Sequence, residues 1–193
     1  MAKKKTVWLN YFRPTIYINS FKDINLFGLR KMGIKLFICD LDNTLSPHFV
    51  KHPTSDVKRF IKSIQELGIK FVLCSNNRKK RVNEYSKDLK ADYVITFAMK
   101  PFKRKIIKLM NKLDMTPDEV LIMGDQFITD IFLANRIICK SILVKPMVNP
   151  INDSSVNPIV KMLDKFIYKK LSYGNDVLLN NNSNNITDET AYL

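Results

Sequence analysis

Two aspartates one residue apart, Asp40 and Asp42, follow directly on the apolar run Ile34 to Cys39. Carboxylates this close repel each other unless a divalent cation, a shared proton or a basic side chain relieves them. Asp-x-Asp on its own also describes a strand ending in an Asx turn, so the rest of the chain has to decide. Three more short apolar runs end in polar groups of complementary chemistry. Ser75-Asn76-Asn77 follows Ile69 to Cys74, Lys100 comes after Tyr93 to Thr96, and Asp125 and Asp130 come after Val120 to Met123. Parallel strands would bring all of these to one edge of a sheet, where open α/β sheets bind their ligands. Acid pairs with a hydroxyl and a lysine suit a phosphate held beside Mg²⁺. Hard oxygen ligands favour that ion, and the lysine and hydroxyl would neutralise and orient phosphoryl oxygens.

The elements that must position these groups alternate regularly. The run at Ile34 reads as a strand buried on both faces. Thr54 can cap a helix whose apolar face is Val57, Phe60, Ile61, Ile64 and Leu67, ending at Gly68. The strand Ile69 to Cys74 is followed by a helix from about Arg78 to Lys90, with Val82, Tyr85 and Leu89 inward. The strand Tyr93 to Thr96 precedes a helix from Lys103 to Leu113 that buries Ile106, Ile107, Met110 and Leu113. Thr116 to Glu119 has capping-box spacing with proline in the first helical position. After the strand Val120 to Met123, a helix from about Thr129 to Ile137 leads to a strand from Ser141 to Val144. Pro146 to Pro158 is a loop. A last helix runs to about Leu171 with Ile159, Leu163, Phe166 and Ile167 on one side. This alternation predicts an α/β fold: a doubly wound, mostly parallel, five-stranded Rossmann-like sheet with right-handed crossovers.

The preceding segment, residues 1–33, reads as packed on the edge of that domain, with Asn25 capping a short helix from Leu26 to Met32 closed by Gly33. Its aromatics, mixed with basic residues, also suit a membrane surface. The domain proper spans 34–172. The tail 173–193, rich in Asn and free of Lys, is expected to be disordered.

At 193 residues and 46% hydrophobic the chain is long enough for one domain with a real core. It has no apolar run long enough to span a bilayer and no signal-peptide core after the basic start, so a cytoplasmic location is expected, at the inner face of the membrane if the protein meets lipid. Cys39, Cys74 and Cys139 are odd in number, lack metal-site spacing and read as core residues. His48 and His52 have no spacing that links them to the aspartates. The net charge is +14, and the body through Tyr173 carries 32 basic against 15 acidic residues. Such a field favours polyanions: nucleic acid, an anionic membrane or phosphorylated substrates. A Lys- and Asn-heavy proteome would give the same balance, so charge alone does not choose.

In order along the chain, Asp40-Leu41-Asp42-Asn43-Thr44, then Ser75, then Lys100, then Gly124-Asp125 with Asp130 resemble the four motifs of the haloacid dehalogenase (HAD) superfamily of phosphatases. Asp-Leu-Asp-Asn-Thr-Leu, Ser-Asn-Asn, Lys-Pro and Gly-Asp-Gln-x-x-Thr-Asp are most similar to the bacterial YqeG-like subfamily, which is related to mitochondrial phosphatidylglycerophosphate phosphatases. The likeness covers about residues 10 to 170. It implies that Asp40 is the nucleophile, forming an aspartyl-phosphate, and that Asp42 is the general acid and then base. It places Mg²⁺ on Asp40, Asp125, Asp130 (directly or through water) and the main-chain carbonyl of Asp42. Thr44 would shape the motif loop. Ser75 and Lys100 would bind phosphoryl oxygens, with Asn76 and Asn77 as supporting donors. The blander readings are a surface lysine at position 100, a turn serine at 75 and, for Asp130, an acid favoured by a helix N-terminus.

The superfamily often inserts cap domains after its first motif or after its second. Here Asn43 to Pro53 is too short for one, and so is Asn76 to Met99 once its helix and strand are counted. An open, HAD-like site without a cap domain admits a headgroup projecting from a large object. The expectation is therefore a Mg²⁺-dependent phosphatase acting on an anionic lipid headgroup, phosphatidylglycerophosphate by resemblance, with peripheral association to an anionic membrane. The alternatives are a phosphatase for soluble or nucleic-acid phosphate esters, and a basic RNA- or ribosome-binding protein.

Overall fold

The computed structural model describes residues 7–149 and 156–172. The basic start, the Asn-rich tail and residues 150–155 of the loop before the last helix lie outside them. The sheet has six strands in the order β1-β6-β5-β2-β3-β4, every neighbouring pair parallel. They are β1 Ile16–Ile18, β2 Leu36–Cys39, β3 Lys70–Cys74, β4 Tyr93–Ile95, β5 Val120–Gly124 and β6 Lys140–Val144. The helices are α1 Leu26–Lys31, α2 Ser55–Glu66, α3 Lys79–Ser86, α4 Arg104–Lys112, α5 Phe132–Ile137 and α6 Pro158–Ser172.

The pleat of β2 explains the two layers. Phe37 and Cys39 face a core with Phe60, Ile61 and Ile64 of α2 and Val82 and Tyr85 of α3. Leu36 and Ile38 face the opposite core, with Ile106 and Met110 of α4 and Leu133 and Ile137 of α5. A strand covered on both sides must be apolar throughout, and all four of its residues are buried. Removing one of these large side chains, Phe37 for example, would cost about 3–5 kcal/mol. The expected caps form: Asn25 Oδ1 accepts from Gly28 N at 3.0 Å, and Thr54 Oγ1 accepts from Val57 N at 3.4 Å. Gly33 and Gly68 leave their helices at φ +73° and +78°, a conformation that glycine adopts without strain. The three cysteines are buried and unpaired. Among the described residues no helix is long and apolar enough to cross a membrane.

The structure departs from the sequence reading in four places. Ile16–Ile18 forms a sixth strand on β6, fastened where Thr15 and Ser141 each donate a backbone N–H to the other's hydroxyl at 3.1 and 3.0 Å. Three residues carry no readable period, so this strand is defined by its partner. α3 stops at Ser86, although Leu89 still reaches the core. The turn after β5 opens as one π-helical turn, Phe127–Ile131, and only then tightens into α5. In α6 it is Ile167 and Leu171 that are buried, while Ile159, Leu163 and Phe166 stay exposed. α6 is rolled so that the Asp164 carboxylate accepts from Ile128 N at 2.9 Å, and Phe166 stacks on Trp8 instead, ring centroids 6.2 Å apart.

Candidate active site

All nine residues singled out in the sequence come to the carboxyl edge of the sheet. Asp40 remains in the ladder, its N–H donating to Met123 O at 2.9 Å. The chain then turns back sharply. Asn43 takes a left-handed conformation (φ 64°), which asparagine tolerates, and its N–H donates to Ser46 O at 2.7 Å. This turn points the buried Thr44 hydroxyl inward, 3.4 Å from Asp40 Oδ2 and 3.5 Å from Asp125 Oδ1. One hydroxyl thus lies against carboxylates from β2 and β5.

Lys100 is buried, and its ammonium lies between two acids, donating to Asp40 Oδ1 at 2.5 Å and to Asp130 Oδ1 at 2.6 Å. This is the interior of the site, so the surface-lysine reading does not apply. Its backbone is clamped by Asn76, whose amide oxygen accepts from Lys100 N at 2.6 Å and whose amide nitrogen donates to Lys100 O at 3.0 Å. Asp130 is held from its other oxygen by Gln126 N at 3.2 Å and Thr129 Oγ1 at 3.0 Å. The wide turn after β5 brings these two donors round to it, in line with the tendency of π-turns to mark functional sites. Gly124 lets Asp130 approach, since a Cβ there would sit 2.1 Å from Asp130 Cγ.

Asp42 faces a different set of partners. Asn77 Nδ2 donates to its Oδ2 at 3.3 Å, and an Arg81 terminal nitrogen donates to its Oδ1 at 3.1 Å. The Ser75 hydroxyl accepts from Asn77 N at 3.0 Å, which makes it a turn-former as well as part of the wall. A cavity of about 410 Å³ opens over Asp40, Asp42, Ser75, Lys100 and Asp125, with Arg78, Phe97 and Val160 on its sides. No folded insert covers it among the described residues.

The electrostatics are those of an over-acidic pocket. Burial, opposed by Lys100 and reinforced by the charges of Asp130 and Asp42, pushes the Asp40 carboxyl up to about 7. Burial together with the charges of Asp40 and Asp130 holds Asp125 well above the usual carboxylate range. Burial alone would lower the Lys100 ammonium, but Asp130 and Asp40 outweigh it and keep it well above its ordinary value. One lysine does not balance three buried acids. Among the described residues no three His, Cys, Asp or Glu side chains form a ready metal cage, and Lys100 stands between Asp40 and Asp130. What remains is Asp40 and Asp125 side by side in an acidic cavity open to water. That fits Mg²⁺, which takes one or two carboxylates and keeps several waters.

Sequence reasoning missed Arg81, Gly124's steric role and Asp164. Arg81 looked like one more member of the basic run Arg78 to Arg81. Its spacing to Tyr85, one helical turn on, was the available signal, since the guanidinium lies over that ring at 5.2 Å. Arg81 Nε and Nη1 are buried and have no hydrogen-bond partner among the described residues. Asp164, on α6, is pushed up to about 7 by burial, against the Ile128 N–H that it accepts.

A family model described as haloacid dehalogenase-like hydrolase matches residues 37–144. The chain is 28% identical over 137 residues to a Bacillus subtilis (strain 168) protein named "Probable phosphatase YqeG", covering 71% of this chain and 79% of that one. A hypothetical protein from Xanthomonas campestris shares the fold with a TM-score of 0.51 at 15% identity, over 80% of this chain and 90% of that one. An uncharacterized protein from Listeria monocytogenes serotype 4b does so with a TM-score of 0.50 at 16% identity, over 70% and 99%. These two likenesses are of fold alone.

Proposed function

The chain belongs to the haloacid dehalogenase-like hydrolases and is a phosphatase, and we propose that it is a Mg²⁺-dependent phosphomonoesterase working through an aspartyl-phosphate, with phosphatidylglycerophosphate at a membrane as substrate. The observation that carries the mechanism is the pair of links converging on Asp40: Lys100 joins it to Asp130, and Thr44 joins it to Asp125.

Asp40 is fixed at the end of a buried strand with one oxygen on Lys100. The other is available to attack phosphorus, with the ester P–O bond breaking on the far side. Asp42 gives its proton to the departing alkoxide, then takes one from the water that cleaves the aspartyl-phosphate, releasing inorganic phosphate and restoring Asp40. Arg81 and Asn77 hold Asp42 in place for both transfers. The Ser75 hydroxyl and Lys100 line the space for the phosphoryl oxygens, and Asn76 keeps the Lys100 backbone from drifting. When bound beside Asp40 and Asp125, Mg²⁺ supplies the positive charge that keeps both ionised and screens the incoming phosphate. Asp130, engaged by three protein donors, serves chiefly to aim Lys100, and it would hold the ion together with Asp40 and Asp125.

Three features support the lipid substrate: the uncovered cavity, the strongly basic body, and the resemblance of the motifs to phosphatidylglycerophosphate phosphatases. The test is phosphate release from phosphatidylglycerophosphate vesicles with and without Mg²⁺, using Asp40→Asn as control. Mg²⁺-dependent release that the variant abolishes is expected. Untouched lipid with rapid turnover of a soluble or nucleic-acid ester overturns the substrate. Full activity of Asp40→Asn overturns the mechanism.

A further inference from the structure

The loop joining β4 to α4 leaves three large apolar side chains exposed, and one of them, Phe97, lines the cavity. Phe97, Met99 and Phe102 are 56%, 51% and 64% exposed. Scattered exposed hydrophobics are ordinary, but three within six residues beside a site are a patch. The backbone aims them: Phe97 and Met99 have φ of 48° and 60°, a region that bulky side chains enter only under strain.

The strain is locked in place. Phe97 N donates to Asn77 O and Ala98 N to Ser75 O, at 3.0 and 2.9 Å. Lys105 Nζ donates to the carbonyls of Thr96 and Phe97 at 3.0 and 2.6 Å. A connection that only had to close would place Asn or Gly at the strained positions and polar groups outside.

Outside the acidic cavity, the segments that flank this patch carry charge of one sign. Arg78, Lys79 and Lys80 enter α3, Lys103, Arg104 and Lys105 enter α4, and all six are exposed. No acidic residue occurs in 76–83 or 96–113. Rigid apolar tips ringed by cations match the two layers of an anionic bilayer surface, where tips enter the acyl boundary and cations meet the headgroups. A nucleic acid would use the cations and a stacking ring, but it gives Met99 nothing to do.

We infer that the 96–102 loop and its basic flanks form the surface by which the protein docks on an anionic membrane, with the cavity mouth against the headgroups. The inference rests on the reading that the substrate is a lipid phosphate, which it supplies with a means of presentation.

Docking is measured by flotation of the full chain with phosphatidylcholine vesicles containing phosphatidylglycerol and no phosphomonoester. The test variant is Met99→Asn with Phe102→Ser; asparagine retains the left-handed backbone, and neither residue lines the cavity. Binding to anionic but not pure phosphatidylcholine vesicles is expected, weakened at least about tenfold in the variant, with p-nitrophenyl phosphate turnover unchanged. Lys103→Glu with Arg104→Glu should weaken binding similarly.

Loop-dependent docking without phosphatidylglycerophosphate hydrolysis leaves the docking surface standing and removes the substrate reading. Hydrolysis in detergent micelles, with parental vesicle binding by the Met99/Phe102 variant, does the reverse. Binding of RNA but not vesicles, sensitive to the charge reversals alone, also overturns the docking surface.

Discussion

Replacing Gly124 with alanine tests whether the site depends on one close approach. The added Cβ would lie 2.1 Å from Asp130 Cγ, 2.4 Å from Oδ2 and 2.6 Å from Cβ, whereas ordinary contact begins at 3.4 Å. Asp130 must therefore retreat by roughly 1.3 Å. It is no loose side-chain end: it is 1% exposed and held by Lys100, Gln126 N and Thr129. A shift of that size breaks the 2.6 Å bond to Lys100 and leaves the ammonium on Asp40 alone. Breaking a buried pair costs about 3–5 kcal/mol, or roughly 6–20 °C in melting temperature for a domain of this size. Misplacement by about 1 Å at a reacting centre costs on the order of 10²-fold in rate.

Calorimetry and kcat on p-nitrophenyl phosphate measure both effects. The double variant with Asp130→Gly, which also removes the Cβ 2.6 Å from the added methyl, separates the collision from any general effect of alanine. Once the whole side chain is gone, Cβ included, Gly124→Ala should add almost nothing to the cost of Asp130→Gly, a strong non-additivity. A Gly124→Ala protein with parental melting and kcat within about twofold would refute the reasoning.

Three further outcomes follow from the same geometry. Arg81→Met should lower kcat about ten- to a hundredfold with little change in KM, because Asp42 loses one of its two holders, and Arg81→Lys should recover part of the loss; equal kcat in all three proteins would remove Arg81 from the positioning role. Asp164 keeps its proton to about pH 7 when folded, against an ordinary 3.8. Stability therefore falls as pH rises between those values, and Asp164→Asn should stabilise the fold at pH 8 by at most about 4 kcal/mol, read as a higher melting temperature, and leave stability unchanged near pH 3. Saturating Mg²⁺ at a hundred times its dissociation constant should add about 2.7 kcal/mol of stability, and chelation should abolish turnover; a melting curve indifferent to Mg²⁺ in an active enzyme would remove the ion from the Asp40–Asp125 pair.

The parts legible in the sequence share a physical property. β2, β3 and β5 are buried on both faces, so burial alone wrote them as apolar runs, and each delivers its polar group at the residue where the run stops. The elements that were misread answer to something outside themselves. β1 exists because β6 offers it an edge, and α6 is rolled because Asp164 finds the Ile128 amide. Arg81 was hidden for a related reason: in a run of four basic residues nothing in the chain marks the one whose guanidinium turns inward over Tyr85. Asp40 and Asp125 could be assigned to one edge from strand order, but not their relation to each other. That relation comes from Thr44 and from the left-handed Asn43 before it, which turns a hydroxyl back between two strands. Lys100 shows the same division. Its place after β4 was readable, whereas its burial between two acids depends on Asn76 gripping its backbone from another loop. Substituting Asn76 should therefore damage the chemistry through Lys100 without touching any reacting atom.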